Sequence, residues 1–418
     1  MNSWVCAWIL LFLALPTFGA KARPIASSEA EWPQFRGPSR DGISDETGLL
    51  KSWSADGPKQ LWTVNFAGRG FSSPIIVKDR LYITGDFGAE LQISALDLKG
   101  CLIWKATNGL AWKNDYPGAR ASVTFNDGKV FHENAHGVVA CLDAATGRMQ
   151  WTVDLLKQFG GENIQWGLSE CLLVDERAVY ATAGGPEALF VALDKKSGAI
   201  IWKSESNGEN AGYVSPILVE FAGRRLIIGC SSRALVCADA DSGKIQWTQP
   251  MPTAYSVLAS MPALVGDSIF MTAPHGKGGK LFKLLPPAAG GGKIGVEEVW
   301  TTPLDTCQGG IIVQNDKLFG ALYGGRKGWA AVSAKSGEII YQQPDFVKGC
   351  ALLAENRFYA LSEDGWMRLL EPTDSEFKVH GQFRLARGQN DAWAHPVIHR
   401  GRLYLRYHEN LHCYEIKD

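Results

Sequence analysis

The feature that most constrains this chain is one hairpin written several times over. ALDLKGCLIW (95–104), CLDAATGRMQW (141–151), ALDKKSGAIIW (192–202), CADADSGKIQW (237–247) and AVSAKSGEIIY (331–341) follow one template, A-x-D-x-x-[ST]-G-x-x-x-W. An apolar strand ends at Asp, whose carboxylate caps a turn. The Gly supplies a backbone position with φ > 0. A second, alternating strand follows and ends on a large aromatic. Degenerate copies end at Trp300 and Phe383, and an isolated early copy of the last strand, KQLWTVN, carries Trp62.

A second hairpin lies between the copies of the first. It reads SSPIIVKDRLYIT (72–84), ASVTFNDGKVFHE (121–133), ECLLVDERAVYAT (170–182), VSPILVEFAGRRLII (214–228), SMPALVGDSIFMT (260–272), GGIIVQNDKLFGA (309–321), GCALLAENRFYAL (349–361) and AHPVIHRGRLYLR (394–406). Each unit therefore holds four strands over roughly 45 residues, the size of a propeller blade. The last unit ends at LHCYEIKD and lacks its fourth strand. The early KQLWTVN strand is the missing one, so pairing of N- and C-terminal strands closes the ring and removes an open edge. The expectation is an all-β, eight-bladed β-propeller.

The repeat resembles the tryptophan-docking repeat of quinoprotein alcohol dehydrogenases, which use pyrroloquinoline quinone (PQQ). The propeller scaffold of the bacterial outer-membrane assembly machinery shares that repeat. The chain is most similar to exported PQQ-repeat-like propellers of planctomycete and verrucomicrobial type. They begin with a segment like WPQFRGPSRDGIS (32–44) and end with one like WAHPVIHRGRLYLR (393–406). The resemblance implies tryptophan-docking contacts between blades by Trp62, Trp104, Trp151, Trp202, Trp247 and Trp300. It implies PQQ with Ca²⁺ as the cofactor if the chain is an oxidoreductase. The chain departs from the quinoprotein enzymes in having no adjacent Cys-Cys pair and no acidic/Asn set for Ca²⁺, and TCQGG (306–310) departs from related propellers, where histidines are expected.

Residues 5–15 form an apolar run, and Ala20-Lys21-Ala22 fits a cleavage site, so residues 1–22 read as a signal peptide. Periplasmic or secreted localisation follows, with no membrane span after cleavage. Residues 23–58 read as an N-terminal strap, with Trp32 and Phe35 as anchors and Pro33 and Pro38 against a regular strand. Residues 59–418 read as the propeller. Net charge is −1, which gives no electrostatic footprint for nucleic acid. Eight cysteines follow Cys6 without C-x-x-C spacing, and no disulfide pair is legible.

FHENAHG (131–137) fits the zinc-protease pattern H-E-x-x-H. That mechanism needs both histidines on one helix face, whereas the repeat register makes FHE a strand end and HENAHG a loop with a turn glycine at Gly137. No metal site is expected.

In a propeller the first strand of each blade lines the axis, and the loop face at its entry is the default binding surface. Small residues dominate these entries; Arg120, Glu170, Gln308, Lys348, Trp393 and His395 are exceptions, and Trp112 and Trp166 lie in adjacent loops. Arg120 and Lys348 suit carboxylates, the indoles suit a flat ring or a sugar, and Glu170 or His395 suits a base. The bland reading pairs an Arg with Glu170 inside a channel. Two functions follow. One is a non-catalytic binding or scaffold propeller, expected as a monomer, that recognises a protein or carbohydrate partner on its loop face. The other is a PQQ-dependent oxidoreductase with the quinone at the channel mouth.

Overall fold

The computed structural model describes residues 21–22, 31–288, 291–385 and 391–418. The leader read at residues 1–22 lies almost wholly outside them. The strands form eight sheets arranged as propeller blades. Blades 1 to 7 span residues 75–110, 124–154, 173–203, 217–250, 263–302, 312–343 and 349–384. Blade 8 takes three strands from 397–415 and its outer strand from 60–64. That outer strand pairs antiparallel with the last strand of the chain, from Gln60↔Tyr414 to Val64↔Leu411, so the ring closes as the sequence requires. One short helix, Leu155–Phe159, leaves the end of blade 2.

The repeat template now has a physical explanation. Asp143 Oδ1 accepts from the backbone N–H of Ala145 and Thr146 and from the Thr146 hydroxyl, and Asp194 and Asp239 do the same one and two blades on. The glycine then presents a bare Cα to the tryptophan of the preceding blade. A Cβ on Gly243 would lie 2.4 Å from Trp202 Cε3, and one on Gly147 would lie 2.5 Å from Trp104 Cε3. The indole N–H donates to a carbonyl of the same turn: Trp104 to Ala144 O (3.2 Å), Trp151 to Lys195 O (3.3 Å), Trp202 to Ala240 O (3.1 Å) and Trp300 to Ala334 O (3.2 Å). Trp62 donates to Leu98 O at 3.0 Å. Trp247 is the exception. It faces the long hairpin of blade 5, which lacks the turn, and its buried N–H has no partner. Phe383 closes the series against Gly57, in the turn just before the 60–64 strand.

The segment after Trp32 runs against the inner strands of the ring. Trp32 exchanges backbone hydrogen bonds with Ile76 of blade 1, and Pro33 O accepts from Phe125 N of blade 2. Ile43 and Ser44 run parallel to Leu353 and Ala354 on the inner strand of blade 7. Arg36 and Arg40 supply the anchors. Arg36 Nη2 donates to Ile311 O of blade 6 (2.5 Å) and to Asp41 O (2.8 Å). Arg40 donates to Cys171 O (2.6 Å) and Leu172 O (3.1 Å) at blade 3, and to Gln34 Oε1 (3.0 Å). Both guanidiniums are buried, and desolvation lowers each pKa to about 10. Two cations bound to main-chain carbonyls on well-separated blades thus tie the segment to the inner strands. Lys21 and Ala22 pair with Glu220 and Val219 of blade 4.

Candidate functional site on the loop face

The entries of the inner strands are stitched to one another by small side chains. His395 N donates to Ser73 Oγ (2.8 Å), Ser73 N to Ser122 Oγ (2.9 Å), Ser122 N to Cys171 Sγ (3.2 Å) and Cys171 N to Ser215 Oγ (2.9 Å). This arc joins blades 8, 1, 2, 3 and 4 and explains why small polar residues recur there. His395 is part of this scaffold. It is buried, its Nε2 lies 3.0 Å from Gln308 O, and its ring packs edge-on against Phe35 of the N-terminal segment (4.8 Å). Burial lowers its pKa to about 3, so it carries no proton to exchange near neutrality.

Three of the sequence candidates converge, and the residue they converge on is one the sequence reading missed. Glu363 accepts from Gln308 Nε2 (2.7 Å) and Trp393 Nε1 (2.8 Å) and pairs with Lys348 Nζ (3.1 Å). Burial raises its pKa against the pull of Lys348 and the two neutral donors. Lys348 also sits 3.8 Å from the centroid of the Tyr323 ring, a cation–π contact. Trp393 carries Phe71 at 4.8 Å and Tyr116 at 5.2 Å, and Tyr116 is 53% exposed. A signal for Glu363 was present in the hairpin register. Gly349 pairs with Ser362, so the next step outward sets Lys348 beside Glu363.

Arg120 does not join this group. It donates to Trp166 O (2.5 Å), Gly118 O (2.6 Å), Tyr116 O (2.9 Å) and Asp115 O (3.2 Å), and its guanidinium lies 5.1 Å from the Trp112 ring. It therefore shapes the loop that presents Tyr116, and desolvation lowers its pKa to about 10. Trp112 is buried, donating from Nε1 to Asp115 O (3.1 Å) and from its backbone to Asp86 Oδ2 (3.0 Å). Trp166 stands half-buried, with its backbone N–H on Tyr213 Oη (3.2 Å).

Glu170 lies inside the ring and makes no pair with Arg120. One oxygen accepts from Thr182 N (3.1 Å), the other has no partner, and the carboxyl faces Glu133, whose two oxygens are both unpartnered. The repeat explains the encounter. Thr84, Thr182, Thr272 and Glu133 occupy the same register position, and Thr84 Oγ1 donates to Ala121 O of the next blade (2.8 Å). Where blade 2 substitutes Glu133 for that threonine, the residue opposite is Glu170. Burial raises both pKa values, Glu170 to about 7, and each carboxylate disfavours charge on its neighbour.

His132 and Glu133 end a strand, and His136 lies in the loop beyond, so the helix that H-E-x-x-H needs is absent. His132 Nδ1 lies 2.9 Å from Asn108 Nδ2, while His136 Nε2 lies 3.4 Å from Ala111 O. Among the described residues no three His, Cys, Asp or Glu side chains gather as a metal site. The two cations named from the sequence are already engaged, Arg120 by carbonyls and Lys348 by Glu363. This donor set does not fit a Ca²⁺-bound quinone. All eight cysteines from Cys101 onward are free thiols, seven of them buried.

The sequence profile of the family described as outer membrane protein assembly factor BamB matches residues 89–343. A 1-butanol dehydrogenase (quinone) of Thauera butanivorans is 25% identical over 151 residues, covering 32% of this chain and 23% of that protein. The chain spans about a quarter of the length of the curated relatives it matches (23%). Among solved structures, BamB from Moraxella catarrhalis superposes with a TM-score of 0.61 at 15% identity, over 86% of this chain and 100% of that one. Quinohemoprotein alcohol dehydrogenase from Comamonas testosteroni gives 0.62 at 12% identity, over 92% and 80%. These likenesses show the propeller fold, and scaffold and dehydrogenase relatives both occur.

Proposed function

The chain belongs to the family described as outer membrane protein assembly factor BamB, and from that premise we propose that it is an exported, non-catalytic binding propeller that engages a protein partner through its loop face. The observation that carries this reading is the engagement of the ring's inner strands. Arg36, Arg40 and Phe35 of the chain's own N-terminal segment lie among the inner strands of the ring, and the two guanidiniums donate to main-chain carbonyls of blades 6 and 3. What is left on the loop face is a platform suited to contact. Trp393, Tyr116, Phe71 and Tyr323 cluster around the Lys348–Glu363 pair. Aromatic rings with a polar end, backed by a rigid ion pair, are the side chains that dominate protein recognition. The apolar run at residues 5–15 supports export.

Site-specific photo-cross-linking in cells tests this. A cross-linker at Tyr116 is expected to give one discrete protein adduct, whereas one at Lys335, in a turn between the third and fourth strands on the opposite face, is expected to give none. Equal labelling from both faces, or none from either, would contradict the reading. The dehydrogenase reading keeps one specific support, the match to quinone-dependent enzymes. A direct PQQ titration separates the two.

A further inference from the structure

A second place on the loop face has the chemistry of a ligand site. The loops that join blades 2 to 3, 3 to 4 and 4 to 5 meet the turn between the second and third strands of blade 4. Together they line an open cavity of about 370 Å³. Its lining includes Gln165, Glu209, Asn210, Tyr213, Arg233 and Tyr255. This lies within the size range of small-molecule sites, and none of these residues belongs to the Glu363 cluster.

The pocket is held in shape by its own hydrogen bonds. Glu209 Oε2 accepts from Arg233 N (3.1 Å) and from the Ser231 hydroxyl, and Arg233 Nε donates to Ser256 Oγ (3.3 Å). The Tyr213 ring is fixed through its oxygen by Trp166 N and packs 6.0 Å from the Trp166 ring. Tyr255 and Ser256 are consecutive non-glycine residues in the left-handed region, with φ of 58° and 55°. That conformation is disfavoured for both side chains, and here it leaves the Tyr255 ring 73% exposed at the pocket rim, braced by His275 at 5.4 Å.

The lining specifies the ligand class. Side-chain amides offer donor and acceptor together, Arg233 adds donors and Glu209 adds an acceptor. A molecule whose groups are both donors and acceptors, as hydroxyls are, satisfies such a set. One cation and one anion among the lining residues leave the pocket neutral, which disfavours an anionic ligand. The two tyrosine rings offer apolar faces to a ring that is itself polar at its edge and C–H-rich on its faces. We infer that this pocket binds a neutral saccharide, a short stretch of glycan presented to the loop face. The inference does not need the protein partner proposed at Tyr116, and its test reports separately from the cross-link.

The test uses the purified full propeller and a panel of glucose, galactose, N-acetylglucosamine, cellobiose, lactose and chitobiose. Glucuronic acid serves as the anionic comparison. Saturation-transfer NMR followed by calorimetry is expected to find saturable binding of at least one neutral member at millimolar or better affinity. Tyr255→Ala and Arg233→Ala should each weaken it about tenfold or more, with Lys335→Ala unchanged. Because Tyr255 and Arg233 are exposed, melting temperatures of the variants should match that of the parent. No saturable binding at about 10 mM of any neutral member, binding of glucuronic acid alone, or binding that survives both pocket variants would overturn the inference.

Discussion

Arg40 concentrates the residue-scale physics of this molecule. Its buried guanidinium serves Gln34 Oε1, Cys171 O and Leu172 O at once. Arg40→Ala should therefore strand buried acceptors and cost about 2–4 kcal/mol in urea unfolding. Arg40→Lys should recover little, since an ammonium cannot span the same fork. The Glu133–Glu170 pair makes a second residue-scale prediction. Glu170 is raised in the folded state to about 7, chiefly by burial. A carboxyl whose folded pKa is raised contributes stability that is full below its ordinary range and is lost as pH climbs through about 7. The protein should accordingly lose stability from pH 5 to 8. Glu133→Gln should remove much of that slope, stabilising by about 1–3 kcal/mol at pH 8 and hardly at all at pH 5. A flat pH profile for the parent protein would refute the assignment. Arg40 was not legible in advance, because its partners are main-chain carbonyls of distant blades, which have no sequence signature. Glu133 was legible only in outline. The repeat register marks it as standing where threonines stand, but not which residue it meets.

At the scale of the element, the docking turn is the unit. Gly243→Ala should cost about 2–4 kcal/mol, since the new methyl would meet the Trp202 ring while the backbone keeps φ +73°. Gly223 provides the control. It has the same φ, but nothing lies within 4 Å of a Cβ there, so Gly223→Ala should cost only the backbone share of about 1 kcal/mol. Thermal melts of the two variants side by side separate packing from strain. Trp202→Phe should cost about 1 kcal/mol more than Trp247→Phe, because only Trp202 donates to a turn carbonyl. This level of the fold was the most legible. Asp, Gly and Trp recur at fixed offsets because each solves a local problem of capping, φ or packing, and local problems leave local marks. Glu363 shows the limit. Its loop reads as a plain polar turn, and its meaning emerges only when the Gly349↔Ser362 register sets Lys348 beside it.

For the whole molecule, the ring and its closure followed from counting strands, and Gln60↔Tyr414 makes the closure concrete. The place of the N-terminal segment did not follow. The sequence marked Trp32 and Phe35 as anchors of a strap, but its engagement with the inner strands depends on where eight separately folded blades converge. That engagement is the central physical support for a binding role over a catalytic one. The most direct test is to titrate PQQ, with and without Ca²⁺, into the purified protein without residues 1–22, following absorbance and melting temperature. A ligand that binds only the folded state adds about 2.7 kcal/mol of stability at a hundredfold its Kd, so a site of even modest affinity would register. Inner strands engaged by Arg36, Arg40 and Phe35 should give no saturable absorbance change and no shift in melting temperature. Saturable one-site binding that raises the melting temperature, with or without Ca²⁺, would contradict it.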